Sequence, residues 1–155
     1  MATKPEFVGV YILGTERLQL WADKTSMAAE YLIVPEDAKC SARLTIGTKY
    51  DWDNTLDSLY HETAELTLER LGCAYNRESR IATDANAYTF IMTHEDLAEL
   101  TARLSTTHPA MIKDLRKVWL KHSKERRELK ARAKKKGKQN ACSKKRNGKQ
   151  SGGGK

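Results

Sequence analysis

His61, Glu62 and Glu65 are the residues of this chain whose types and spacing could do chemistry. They read His-Glu-x-x-Glu. Residues four apart share one face of a helix, so His61 and Glu65 can address a single metal ion. Imidazole and carboxylate are both zinc ligands, and Glu62 beside them can serve as general base toward a metal-bound water. A catalytic zinc takes three protein ligands and a water, so a third ligand is required. His94 is the best placed, where a predicted strand meets a predicted helix; His108, beside Pro109, and His122, in a charged stretch, suit the role less. The competing reading is a solvated acidic face made of Glu62, Glu65 and Glu69, with His61 a boundary histidine and Glu69 close to Arg70 and Arg77.

A second chemistry lies at the C-terminus. Lys134, Lys135, Lys136, Lys138, Lys144, Lys145 and Arg146 are dense enough to bind phosphate backbones, where each neutralised phosphate releases a counterion. The net charge of +8 is unevenly shared. From Lys121 onward there are fifteen lysines and arginines against two acids, Glu125 and Glu128, a local charge of +13. The first 120 residues hold thirteen basic and eighteen acidic residues, a charge of −5. That asymmetry describes an acidic domain carrying an arm for nucleic acid or another polyanion. The arm has no aromatic residue, so it has nothing to stack on bases.

Several elements must position these residues. Phe7–Leu13 and Arg17–Ala22 are apolar or alternating runs around Gly14, which reads as a β-hairpin. Glu30–Val34, stopped by Pro35, and Ala42–Thr48 are further strands, while Lys24–Ala29 is either a short helix or a loop. The spacing predicts a helix over about Asn54–Leu71, capped by Asp53 or Asp51 and closed by Gly72. Its apolar arc is Leu56, Leu59, Tyr60, Ala64, Leu66, Leu68 and Leu71, with His61 at one edge. Arg77–Ala85 reads as a polar loop and Ala87–Met92 as a central strand. Thr93, with Asp96 in the capping-box position, opens a helix over Glu95–Leu104. A break at Ser105–His108 then precedes a third helix starting at Pro109, with Met111, Ile112, Leu115, Val118 and Trp119 apolar. That helix can run on as a solvated rod toward Ala133, and the Lys/Gly-rich tail from Gly137 is flexible by composition.

The chain is therefore expected to be an α+β protein: a small, mostly antiparallel sheet packed with about three helices, over residues 1–120, followed by a basic helical extension and disordered tail over residues 121–155. A length of 155 residues suits one such domain. The three cysteines, Cys40, Cys73 and Cys142, are odd in number and widely spaced without any CxxC, which argues against a disulfide framework and fits a reducing compartment. No apolar run approaches the roughly 20 residues of a membrane span, and the N-terminus lacks a signal-peptide core. No Gly-rich phosphate loop, GxSxG elbow or Cys–His pair is present.

The extended stretch Arg43–Ile46 followed by the helix bearing His61 and Glu62 resembles the zincin metallopeptidases, in which a strand precedes an HExxH helix. The resemblance implies His61 as a zinc ligand and Glu62 as the base. It departs from the family at Glu65, which stands where the second histidine belongs. The run from that helix through Tyr88–His94 to the Lys-rich helix also resembles small bacteriophage proteins, which implies a cytoplasmic setting in a bacterial host or association with a virion. Three functions follow as expectations. The first is a non-enzymatic accessory protein whose acidic domain binds a protein and whose tail contacts nucleic acid. The second is a zinc-dependent hydrolase or a metal-stabilised relic of one. The third is a virion or assembly component.

Overall fold

A computed structural model describes residues 4–34, 40–76 and 89–147, with backbone alone at 74–76, 89–91 and 136–147. The predicted loop Arg77–Ala85 and the last residues of the predicted tail, 148–155, lie outside the described residues. The chain divides into two compact units, Met1–Trp119 and Leu120–Lys155.

In the first unit β1 (Glu6–Leu13) and β2 (Glu16–Asp23) form the predicted hairpin. Its two-residue loop is Gly14-Thr15. Gly14 has φ of 66° and no non-glycine residue described has a positive φ, the pattern of a type II′ turn that suits the strands' own twist. β3 (Ala29–Ile33) and β4 (Ala42–Gly47) complete a sheet of order β1-β2-β4-β3. Two of its pairings are antiparallel and one, β2 with β4, is parallel. Strand alternation sends Leu18, Leu20, Ala22, Leu44 and Ile46 inward, all 0–1% exposed. Each buried leucine side chain contributes roughly 2 kcal/mol through the apolar surface it removes from water.

Helix α1 (Trp52–Arg70) seals part of that face with Leu59 and Leu66. Asp51 is its N-cap, accepting from the Asn54 N–H at 2.9 Å. Its C-terminus is a Schellman closure: Gly72 at φ 73° donates to Glu69 O, and Cys73 donates to Leu68 O. The buried side of α1 is Thr55, Leu59, Thr63, Leu66, Thr67 and Leu68. The three threonines are tolerated there because each hydroxyl donates to the carbonyl four residues back, at 2.9, 2.6 and 2.7 Å.

The second helix corrects the expectation of three. α2 runs unbroken from His94 to Asn147 with Pro109 inside it. The predicted break fails because the inward phase never shifts. Leu104, His108, Met111, Leu115 and Val118 recur at intervals of four and three across Pro109, and all five are buried or half-buried. Keeping that stripe on the sheet outweighs the one backbone bond that Pro109 removes. The capping box is as expected: Thr93 N donates to Asp96 Oδ2 at 2.7 Å, and Asp96 N to Thr93 Oγ1 at 3.1 Å. Met111 and Leu115 complete the core. Tyr11 of β1 donates its hydroxyl to Asp114 Oδ2 at 3.1 Å, and burial beside that carboxylate pushes the phenol above its usual range.

β5 (Ala74–Asn76) and β6 (Thr89–Ile91) form a separate two-stranded antiparallel sheet. Of the segment expected to be a central strand, Ala87 and Tyr88 lie outside the described residues, and Thr89–Ile91 pairs with β5 instead of joining the main sheet. In the second unit α2 continues past Ala133 to Asn147, further than the predicted rod. Lysine, arginine, glutamine and alanine all favour the helix there.

Candidate functional site

In the middle of α1, His61 and Glu65 lie on the side away from the buried Thr63 and Thr67, and Glu62 lies at the border of the buried side. His61 Nε2 lies 3.4 Å from Glu65 Oε1, and their side chains are 67% and 21% exposed. Glu62 joins them: one ligand atom from each of His61, Glu62 and Glu65 falls within 4.8 Å of the other two. Burial, the like charge of Glu65 and that of Glu30 raise the Glu62 carboxyl above its usual range, with His61 opposing. A raised carboxyl pKa makes Glu62 a stronger base than a solvated glutamate.

The donor set can be tested against zinc by geometry. Ligand bonds of about 2.1 Å in a tetrahedron put neighbouring donors about 3.4 Å apart. The His61–Glu65 separation matches one such edge. His61 and Glu65 could therefore hold a cation at the helix surface, with Glu62 as third donor or as base, but not both at once. His94 is exposed at the head of α2 and is not part of this cluster. The expected three-ligand set thus reduces to donors from a single helix turn. Without a cation, the His61–Glu65 contact is an exposed pair of small energetic weight.

His108, passed over in favour of His94, is the histidine α2 brings to α1. It is 5% exposed; its Nε2 stands 2.8 Å from Thr63 Oγ1 and its ring meets Tyr60 edge-on at 4.5 Å. Burial holds its pKa below the usual histidine value. Cys73 is also buried, and burial together with Asp96 raises its thiol pKa, which disfavours a nucleophilic thiolate.

The second candidate region is the basic stretch of α2 in the second unit. Arg127, Lys130, Arg132, Lys134 and Lys135 are exposed. Lys136, Lys138, Lys144, Lys145 and Arg146 continue the same helix. At 100° per residue, Arg127, Lys130, Lys134, Lys138 and Lys145 fall on one stripe about 80° wide, while Lys136 and Arg146 fall well outside it.

Among the described residues no helix is long and apolar enough to cross a membrane. No protein-family model, curated protein or solved structure matches the chain.

Proposed function

We propose that this chain is an accessory protein that docks on nucleic acid, or on a nucleoprotein assembly, through the basic stretch of α2, and that contacts a protein partner through its acidic α+β unit. The reading rests on one observation above the rest: a charge of +13 after Leu120 is carried largely on a single helix with exposed cations. A helix rises about 1.5 Å per residue and the phosphates of one strand are spaced about 3.4 Å apart, so the Lys134–Arg146 stretch spans roughly five phosphates. Such binding is electrostatic and carries no sequence information. The test is oligonucleotide binding by the full chain and by a chain ending at Leu120. Binding that weakens steeply with salt and disappears on truncation supports the reading. Binding indifferent to salt, or none at low salt, ends it.

A second reading draws on the convergence of His61, Glu62 and Glu65: a zinc-stabilised helix surface, or a hydrolytic centre in which Glu62 moves the proton. It predicts about one zinc per chain, lost in His61→Ala. Purified protein without metal and with an unchanged melting temperature in His61→Ala would remove it.

A further inference from the structure

The core of the first unit lies on one face of the sheet; the other face is built differently. By strand alternation β1 places Phe7, Val10 and Ile12 there, β2 places Arg17, Gln19 and Trp21, β4 places Arg43 and Thr45, and β3 places Leu32. Ile12 and Leu32 are 58% and 59% exposed, and Phe7 is 48% exposed. Solvent therefore reaches this face in the described structure.

The side chains on it are organised. Trp21 is held by three neighbours. Phe7 meets it edge-on at 5.2 Å, its Nε1 donates to Gln19 Oε1 at 3.3 Å, and the Arg43 guanidinium lies 4.4 Å from its ring centroid. Arg17, Gln19 and Arg43 are grouped across β2 and β4, with Gln19 directly opposite Arg43. Of the acids on this face, Asp23 stands at its other end, where it accepts from the Thr25 N–H and hydroxyl, and Glu30 lies at the β3 edge in the row of Trp21, across Thr45. Within an acidic unit, these two arginines beside fixed aromatic rings form a cationic patch.

We propose that this sheet face is a stacking platform for single-stranded nucleic acid, with Trp21, Phe7 and the Arg43 guanidinium meeting base faces and Arg17 and Gln19 meeting phosphates and base edges. The inference rests on the nucleic-acid reading above and supplies what the basic helix lacks, an aromatic surface. Unpaired bases offer their faces to aromatic rings and guanidinium planes, whereas a duplex hides them in its own stack. Four strands at about 4.8 Å make a surface wide enough for roughly two or three bases. A second copy of the chain fits the face less well. Two such sheets packed face to face would strip water from Arg17 and Arg43 of both copies in one layer about 10 Å thick, a desolvation cost that an open complex with nucleic acid avoids.

The experiment uses the full chain with three probes: an oligodeoxythymidine of about twenty nucleotides, a duplex of that length, and heparin, which has charge but no bases. Trp21→Ala is expected to weaken oligodeoxythymidine binding about tenfold and leave the duplex and heparin unchanged, while Trp21→Phe restores most of the loss. Oligodeoxythymidine should quench tryptophan emission in the parent chain and lose that quenching in Trp21→Phe, with Trp52 and Trp119 still present. Leu32→Glu, at a position 59% exposed, should weaken the same probe selectively. If Trp21→Ala and Leu32→Glu change nothing while Lys134→Gln/Lys138→Gln weakens every probe, the platform is refuted and the basic-helix reading stands. If Trp21→Ala weakens all three probes alike, Trp21 is a structural residue and the platform is refuted. A dimer that Leu32→Glu dissociates, with nucleic-acid affinity intact, assigns the face to a second copy instead. Failure of the parent chain to bind any probe at low salt overturns both proposals.

Discussion

A threonine hydroxyl has one proton, and the 2.6 Å contact from Thr63 Oγ1 to Leu59 O uses it. The same oxygen is therefore an acceptor toward His108, whose Nε2 must carry the proton in the 2.8 Å contact. This assigns a proton to Nε2 at a buried position between the two helices of the first unit. Thr63→Val keeps shape and β-branching and removes the acceptor, leaving a buried N–H without it; a loss of roughly 1–3 kcal/mol is expected in denaturant unfolding. Equal stability of the variant would show that another group takes the proton. The sign of the pH dependence follows from the same burial. The folded pKa of His108 lies below its unfolded value of 6.5, so the folded state favours the neutral ring. The full stability is present above pH 6.5 and falls as pH drops through that value toward the folded pKa, because the unfolded chain takes up the proton first. His108→Gln should flatten this part of the stability–pH curve; an unchanged slope would place the effect elsewhere. The pairing of His61 with Glu65 could be read from sequence because helical spacing alone creates it. The pairing of His108 with Thr63 could not: its partners are 45 positions apart and meet only through packing.

Periodicity in the elements was legible wherever apolar residues alone defined a face. The hairpin, β3, β4 and the core of α1 follow from it. It misled where threonine replaced aliphatic residues. Thr55, Thr63 and Thr67 are buried on α1, while Tyr60, placed on the apolar arc, is 43% exposed. A hydroxyl bonded to its own helix is a small, nearly apolar surface, and residue type does not reveal that. The register of β6 was illegible for another reason, since an aromatic and β-branched run looks alike in any sheet. Pro109 misled through its preference for the first turn. In the middle of α2 it removes the N–H that would bond to the Ser105 carbonyl and crowds that turn. Pro109→Ala should restore the bond and raise stability by roughly 2 kcal/mol, with helix content unchanged or higher. A loss of stability would mean that Pro109 contributes more by restricting the unfolded chain than it costs in the helix.

At the scale of the whole molecule, the division of charge was fully legible in composition, but its arrangement was not. A tail assumed to be flexible would present all its cations equally. A helix presents them by angle, and Arg127, Lys130, Lys134, Lys138 and Lys145 share a stripe that Lys136 and Arg146 do not. If the stripe meets a strand of nucleic acid, about five phosphates are neutralised and the logarithm of affinity falls with the logarithm of salt at a slope of roughly −3.5 for a single strand. Lys134→Gln/Lys138→Gln removes two stripe charges and should make that slope shallower by about 1.4. Lys136→Gln/Arg146→Gln removes the same net charge from outside the stripe and should change the slope by less than half as much. Anisotropy of a labelled oligonucleotide, followed from roughly 50 to 200 mM salt, measures both. If the two double variants lower the slope equally, the cations act as a diffuse cloud and the helix is only their carrier. If the stripe variant alone lowers it, the helix of the second unit is the element that aligns charge with phosphate, and extension of α2 beyond Ala133 acquires a functional reason.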